Sequence, residues 1–169
     1  MTMIIDKTDN LSAFLHWEYL FLTTGYSLGC DNGWVESLLD ICYKFVIDQK
    51  TSWSQAQGLC LDMGGHWATL ESEAEIIWIK GYHSHKSILR KEKFWVGGYE
   101  KSGVWYGKGD LVDSPILATD WANGQPDDFN GPQDCLVLYG DGERNPADWF
   151  KFDDGHCSFQ TGFICEKPE

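Results

Sequence analysis

The sequence predicts an α+β domain. Two amphipathic helical segments fall early, short strand-like segments separated by glycine-rich turns fall late, and long polar loops lie in between. A wound parallel sheet would alternate the two kinds of segment along the whole chain, and this chain does not.

"CYKFVID" (42–48) has the β-branched and aromatic composition of a strand. "TSWSQAQGLCLDMGG" (51–65) reads as a helix. Ser52 and Gln55 have capping-box spacing, Trp53, Ala56, Leu59, Cys60 and Met63 form one stripe, and Gly64-Gly65 ends it. "SEAEIIWIKGY" (72–82) repeats the pattern, with Ser72 and Glu75 as the box and Ile76, Ile79 and Tyr82 on one side. "HSHKSILRKEK" beyond it reads as a basic surface segment, with His83 and His85 exposed. "FWVGGYE", "VWYG", "CLVLYG", "ADWFKF" and "GFICEK" read as short strands. Loops as long as those between them are usually functional in a compact domain.

With 169 residues the chain has room for one domain with a real core, and 43% hydrophobic and 15% aromatic residues argue against disorder. A net charge of −13 disfavours nucleic acid, whose phosphates it would repel. Cations, neutral polar ligands and mineral surfaces remain open as partners. Six cysteines (30, 42, 60, 135, 157 and 165) without a C-x-x-C pair lack zinc spacing, and their even number predicts three disulfides formed in an oxidising, extracellular compartment. Fifteen pairings are open to six cysteines.

The only plausible boundary lies near Cys30, which divides residues 1–29 from a domain over 30–169. "LSAFLHWEYLFLTTGYSLGC" is apolar enough for a signal-peptide core, but His16 and Glu18 interrupt it, and "MTMIIDKTDN" has no clear basic start. The segment is therefore read as an altered leader or an N-terminal extension. Asn10-Leu11-Ser12 is a formal glycosylation sequon. No run of about 18 apolar residues predicts a membrane span.

Catalysis is not expected. The histidines at 16, 66, 83, 85 and 156 accompany neither G-x-S-x-G nor H-E-x-x-H.

The segments "CYKF", "SWSQAQGLC", "MGGHWATLESEAE", "FWVGGYE", "TDWANGQPDD", "QDC" and "GFICEK" occur in the order found in C-type lectin-like domains. From about Cys30 to Lys167 the chain resembles that family, in its long form, and is similar to perlucin-type secreted lectins. The resemblance implies a double-loop α+β fold with two helices flanking antiparallel sheets. It also implies the pairings Cys30–Cys42, Cys60–Cys165 and Cys135–Cys157, and a calcium cofactor.

"GQPDDFNGPQDC" (124–135) and "FDDGHC" (152–157) are rich in the oxygen donors that calcium prefers. The resemblance implies a calcium set of Gln125, Asp127, Gln133, Asp153 and Asp154, with a cis Gln125–Pro126 bond. Gln-Pro-Asp resembles the galactose-preferring subgroup, so the implied ligands are terminal galactose or N-acetylgalactosamine glycans. Gln125, Asp127, Gln133 and Asp153 would contact sugar hydroxyls, and Phe129 would offer an aromatic face where relatives often carry Trp.

Two positions depart from the usual pattern. Gln133 stands where the family commonly has Glu, and Asp153 where it has Asn. The set still carries three negative charges, but an ionised Asp153 can only accept a hydrogen bond whereas the Gln133 amide can donate. The donor role is therefore expected to move to Gln133. Asp128 and Glu100 match two ligands of the family's auxiliary calcium site, which is not expected here because "YEKSGVWYG" is short where another acid is usual.

The rival reading is a mineral- or ice-surface binder with no sugar ligand. A homo-oligomer is left open, with the N-terminal segment as a candidate element.

Overall fold

In the computed structural model, which describes residues 29–108, 112–141 and 145–169, alternation along the strands decides where each helix packs. The strands are β1 (Val35–Glu36), β2 (Ile41–Thr51), β3 (His66–Trp67), β4 (Phe94–Lys101), β5 (Val104–Gly107), β6 (Ser114–Pro115), β7 (Cys135–Leu138), β8 (Phe152–Gly155) and β9 (Thr161–Pro168). The helices are α1 (Trp53–Asp62) and α2 (Glu73–His85). The N-terminal segment and its sequon lie outside the described residues.

On β4, Phe94 and Val96 point to one face and Trp95 to the other; on β9, Ile164 is flanked by Phe163 and Cys165 in the same way. The first face joins Tyr43, Leu136, Leu138 and Phe152 to Ile76 and Ile79 of α2. The second joins Trp67, Val137, Phe163 and Cys165 to Ala56 and Cys60 of α1. The two helices thus flank the sheet from opposite sides, as expected.

Strand order is β1-β2-β9-β4-β5-β6, with β3 on β9 and β7 between β4 and β8. The described pairings are antiparallel apart from β4 with β9, where Phe94 meets Gly162 and Trp95 meets Phe163 in parallel register. At Gly98 a Cβ would stand 2.5 Å from Leu136 Cδ2. The second glycine of "FWVGG" therefore lets β4 approach β7, at a register shift between Trp95 and Tyr99.

All three implied disulfides are present: Cys30–Cys42, Cys60–Cys165 and Cys135–Cys157. No helix among the described residues is long and apolar enough to cross a membrane.

Three local expectations need correction. The box at α1 does not form: Ser52 makes no side-chain cap, and the Ser52 and Thr51 hydroxyls instead donate to Gln55 Oε1 at 3.0 and 2.9 Å. The box at α2 does form, and Glu75 additionally accepts from the Tyr43 hydroxyl at 3.0 Å. "ADWFKF" is not a strand. Pro146 starts a 3-10 turn over Pro146–Asp148, capped by Asn145 Oδ1, and extended structure begins only at Phe152.

The third correction concerns "HSHKSILRKEK". α2 runs on to His85, and His83, which is fully buried, rests edge-on against Phe94 and Phe150. Its Nε2 lies 2.9 Å from the Leu89 carbonyl. Burial holds the His83 imidazole below the ordinary histidine value, against the opposing pull of the Leu89 and Glu92 carbonyls and of the Asp141 and Glu92 carboxylates. A depressed folded pKa means that the unfolded chain binds the proton more readily. Stability is therefore complete above about pH 6.5 and falls as pH drops below it. Urea unfolding at stepped pH should show this loss, and H83Q should lack that component. An unchanged pH profile in H83Q would contradict the assignment.

Candidate calcium and carbohydrate site

The long connection between β6 and β7 is anchored at its base before it reaches the acidic stretch. Phe152 of β8 donates to the Asp120 carbonyl at 2.9 Å and accepts from Ala122 N at 2.8 Å, which docks Trp121 beside it. The Trp121 ring lies 4.8 Å from that of Trp105, and Asp148 Oδ1 accepts from Asn123 N at 2.9 Å. Asp148 escaped the sequence reading; its signal was the Asn-Pro-x-Asp turn.

Beyond this anchor the Gln125–Pro126 bond is cis, as implied. Gln125 Oε1 is buried and has no hydrogen-bond partner. Asp128 and Asn130, at φ 49° and 65°, turn the chain back in the left-handed region that short polar side chains tolerate. The Phe129 ring is 67% exposed.

β8 brings Asp153 and Asp154 against this loop. Pairing sets Val137 opposite Asp153 and Leu136 opposite Asp154, and the Cys135–Cys157 bridge closes the same pair of strands. Both aspartates are buried, at 3% and 2% exposure. Asp154 is the hub of the loop: Oδ1 accepts from Asp127 N at 3.0 Å and Oδ2 from Asp128 N at 2.7 Å. Asp127 Oδ1 accepts from Phe129 N at 3.2 Å, and Asp128 Oδ1 from Gln133 N at 2.8 Å.

Of the five expected ligands, Asp127, Gln133 and Asp154 are therefore tied together through the backbone amides of the loop. No described hydrogen bond joins Gln125 to them, and Asp153 is buried next to Asp154 on β8. Among the described residues no three His, Cys, Asp or Glu side chains form a ready metal cluster. The physical reason is visible: the Asp154 carboxylate is engaged with two amides, and two of the five proposed donors are amide oxygens. The set nonetheless fits a hard cation, because every donor is oxygen and Gln125 Oε1 is buried without a partner.

The auxiliary acidic group is richer than the sequence suggested. A cavity of about 390 Å³ is lined by Glu100, Asp128, Gln133 and Asp154 among others. Burial first, then the neighbouring Glu100 and Asp128 carboxylates, hold Asp134 above the usual carboxylate value, with a hydrogen bond to Glu100. The sequence reading missed Asp134; its signal was its place beside Cys135.

The chain is similar to known proteins in sequence and fold. Hepatic lectin of Gallus gallus is 26% identical over 129 residues, covering 75% of this chain and 55% of that protein. The chain thus spans about half of that lectin. Perlucin of Haliotis laevigata is 28% identical over 141 residues, covering 82% of this chain and 83% of that protein. The carbohydrate-recognition domain of the mouse scavenger receptor C-type lectin superposes with a TM-score of 0.65 at 29% identity, covering 83% of this chain and 97% of that one. Residues 49–167, well over half of the chain, match the lectin C-type domain, and the chain belongs to that family.

Proposed function

We propose that this chain is a secreted, calcium-dependent lectin for terminal galactose or N-acetylgalactosamine glycans, with residues 30–169 as its recognition domain and 1–29 as a leader-like segment or extension. The observation that carries the reading is the buried, unpartnered Gln125 Oε1, set beside Asp127 on a loop pinned by Asp154. Three disulfides support an extracellular site of action.

Gln125, Asp127, Gln133, Asp153 and Asp154 would hold the ion. Bound calcium supplies coordination positions for two vicinal sugar hydroxyls. The chain's own residues do the discriminating: Asp127 accepts from a hydroxyl, the Gln125 and Gln133 amides donate, and Asp153 accepts. The exposed Phe129 ring is free to stack on the apolar face of a galactose. The role is recognition, with no bond made or broken.

The reading predicts retention on a galactose matrix in calcium and release by EDTA, and D127A should not be retained at all. A chain that ignores galactose at saturating calcium would defeat it. If the donor role sits at Gln133, then Q133E converts a donor into an acceptor and should change affinity or the order of preference among galactose, N-acetylgalactosamine and mannose. An unchanged glycan profile would remove that assignment and leave the lectin reading in place.

One observation favours a second reading, a mineral or ice surface: the net charge of −13, with Glu100, Asp128 and Asp134 gathered at one end. Indifference to the galactose matrix combined with altered calcite or ice growth would select it.

A further inference from the structure

A second cavity, of about 420 Å³, plays no part in binding galactose as derived above. It shares Gln133 and Asp154 with the cavity beside the acidic loop, so the two lie on either side of a common wall. The segment between β8 and β9 contributes Phe159 and Gln160 to it, and Trp95 lies beneath that segment. Its volume falls within the range of small-ligand pockets, roughly 300–1,000 Å³.

Phe159 is 56% exposed here, and a single exposed ring is ordinary on any protein surface. What sets this ring apart is how firmly its segment is held. The Cys135–Cys157 bridge fixes one end of it. Phe159 N donates to the His156 carbonyl at 2.9 Å, and the buried Trp95 Nε1 donates to the Phe159 carbonyl at 3.2 Å. The His156 ring stands edge-on to Phe159 with centroids 5.2 Å apart, and its Nδ1 lies 2.8 Å from the Pro132 carbonyl. The segment is thus braced against the loop that carries Gln133.

Polar groups complete the lining. Gln160 is exposed, and its Nε2 makes one contact, to the Ser158 carbonyl at 3.3 Å, which leaves the amide oxygen for a ligand hydroxyl. Lys50 and Glu92 pair at 2.9 Å, so they offer a donor and acceptors with their charges offset. An aromatic ring fixed beside amide groups suits a pyranose, whose C–H face packs on the ring while its hydroxyls donate and accept. A ring already held in place loses little freedom when the ligand arrives.

We propose that this cavity is a second sugar subsite. The residue next to a terminal galactose stacks on Phe159 and hydrogen-bonds to Gln160, while the galactose occupies the Gln125/Asp127 site on the other side of Gln133. The proposal rests on the lectin reading above and names its ligand class: neutral oligosaccharides that end in galactose, read over two residues.

Calorimetric titration of the full chain in calcium with galactose, lactose, N-acetyllactosamine and galactosyl-β1,3-N-acetylgalactosamine tests it. At least one disaccharide should bind about five-fold or more tightly than galactose, and the advantage should persist as salt is added. In F159A that disaccharide should fall to parity while galactose affinity stays unchanged. F159W should restore the advantage, because it returns an aromatic face to the same place. Q160A should lose part of it, again with galactose unaffected.

Equal affinity for galactose and for every disaccharide would overturn the subsite and leave the galactose reading intact. So would an advantage that survives F159A, or a parallel loss of galactose binding in F159A, which would make Phe159 a support of the loop. Absence of calcium-dependent binding by any of the four sugars would overturn both readings. A disaccharide held equally well in EDTA would separate the cavity from the calcium site and defeat the proposal as stated.

Discussion

Removing the Cys60–Cys165 bridge by C60A/C165A should cost more stability than removing either of the other two. The bridge ties α1 to β9 across 105 residues, whereas Cys135–Cys157 spans 22 and Cys30–Cys42 spans 12. Loop-closure entropy in the unfolded chain then gives about 4.8, about 3.4 and about 2.8 kcal/mol respectively. Both sulfurs of the long bridge are also buried in the core beneath α1, so two cavities add to the loss. Small domains are stable by only about 5–15 kcal/mol, so this variant should sit close to its unfolding midpoint at physiological temperature. Urea unfolding of the three double variants, without reductant, ranks them. If C30A/C42A were as damaging as C60A/C165A, the closure argument would be wrong.

That ranking depends on a pairing that spacing could not supply. Six cysteines left fifteen pairings open, and only the resemblance selected the one the structure contains. The helices were legible for a more local reason. Ser72 and Glu75 sit at the spacing a capping box needs, and the stripe of Ile76 and Ile79 matches the face α2 buries. The same spacing at Ser52 and Gln55 did not give a box, because the neighbouring Thr51 hydroxyl competes for the Gln55 oxygen. His83 was misread for a similar cause. Charged neighbours suggested a surface, but helical geometry turns His83 toward Phe94 while His85, two residues on, stays exposed. Two-residue strands such as His66–Trp67 carry no periodicity, so nothing in the sequence announces them.

The site was legible as a composition, and much less so as a geometry. Oxygen donors around Pro126, and two more before Cys157, pointed to a cation loop, and the strands bring those two stretches together. What composition could not convey is that Asp154 accepts from two successive amides of the loop and so fixes its shape.

Asp154 is where fold and proposed function meet, and D154A should separate their contributions. Its carboxylate accepts from two successive amides, so its loss leaves Asp127 N and Asp128 N without their acceptor. Hydrogen bonds to a charged group contribute about 1.5–3 kcal/mol each when buried. Asp127 and Asp128 are exposed, however, and water can take up most of the deficit, so the stability cost should stay near 1–2 kcal/mol. The binding cost should be far larger. Untethering the loop frees Asp127, and through it the Gln125–Asp127 spacing on which sugar recognition would depend, while also deleting one calcium ligand. Calcium-dependent galactose affinity should fall by about 100-fold or more. Amide exchange supplies the second readout: Asp127 and Asp128 should lose protection in calcium-free D154A relative to the calcium-free parent, while the β4 and β9 amides keep theirs. A variant that retained parental galactose affinity with EDTA release would show that Asp154 merely shapes the loop and takes no part in holding the ion.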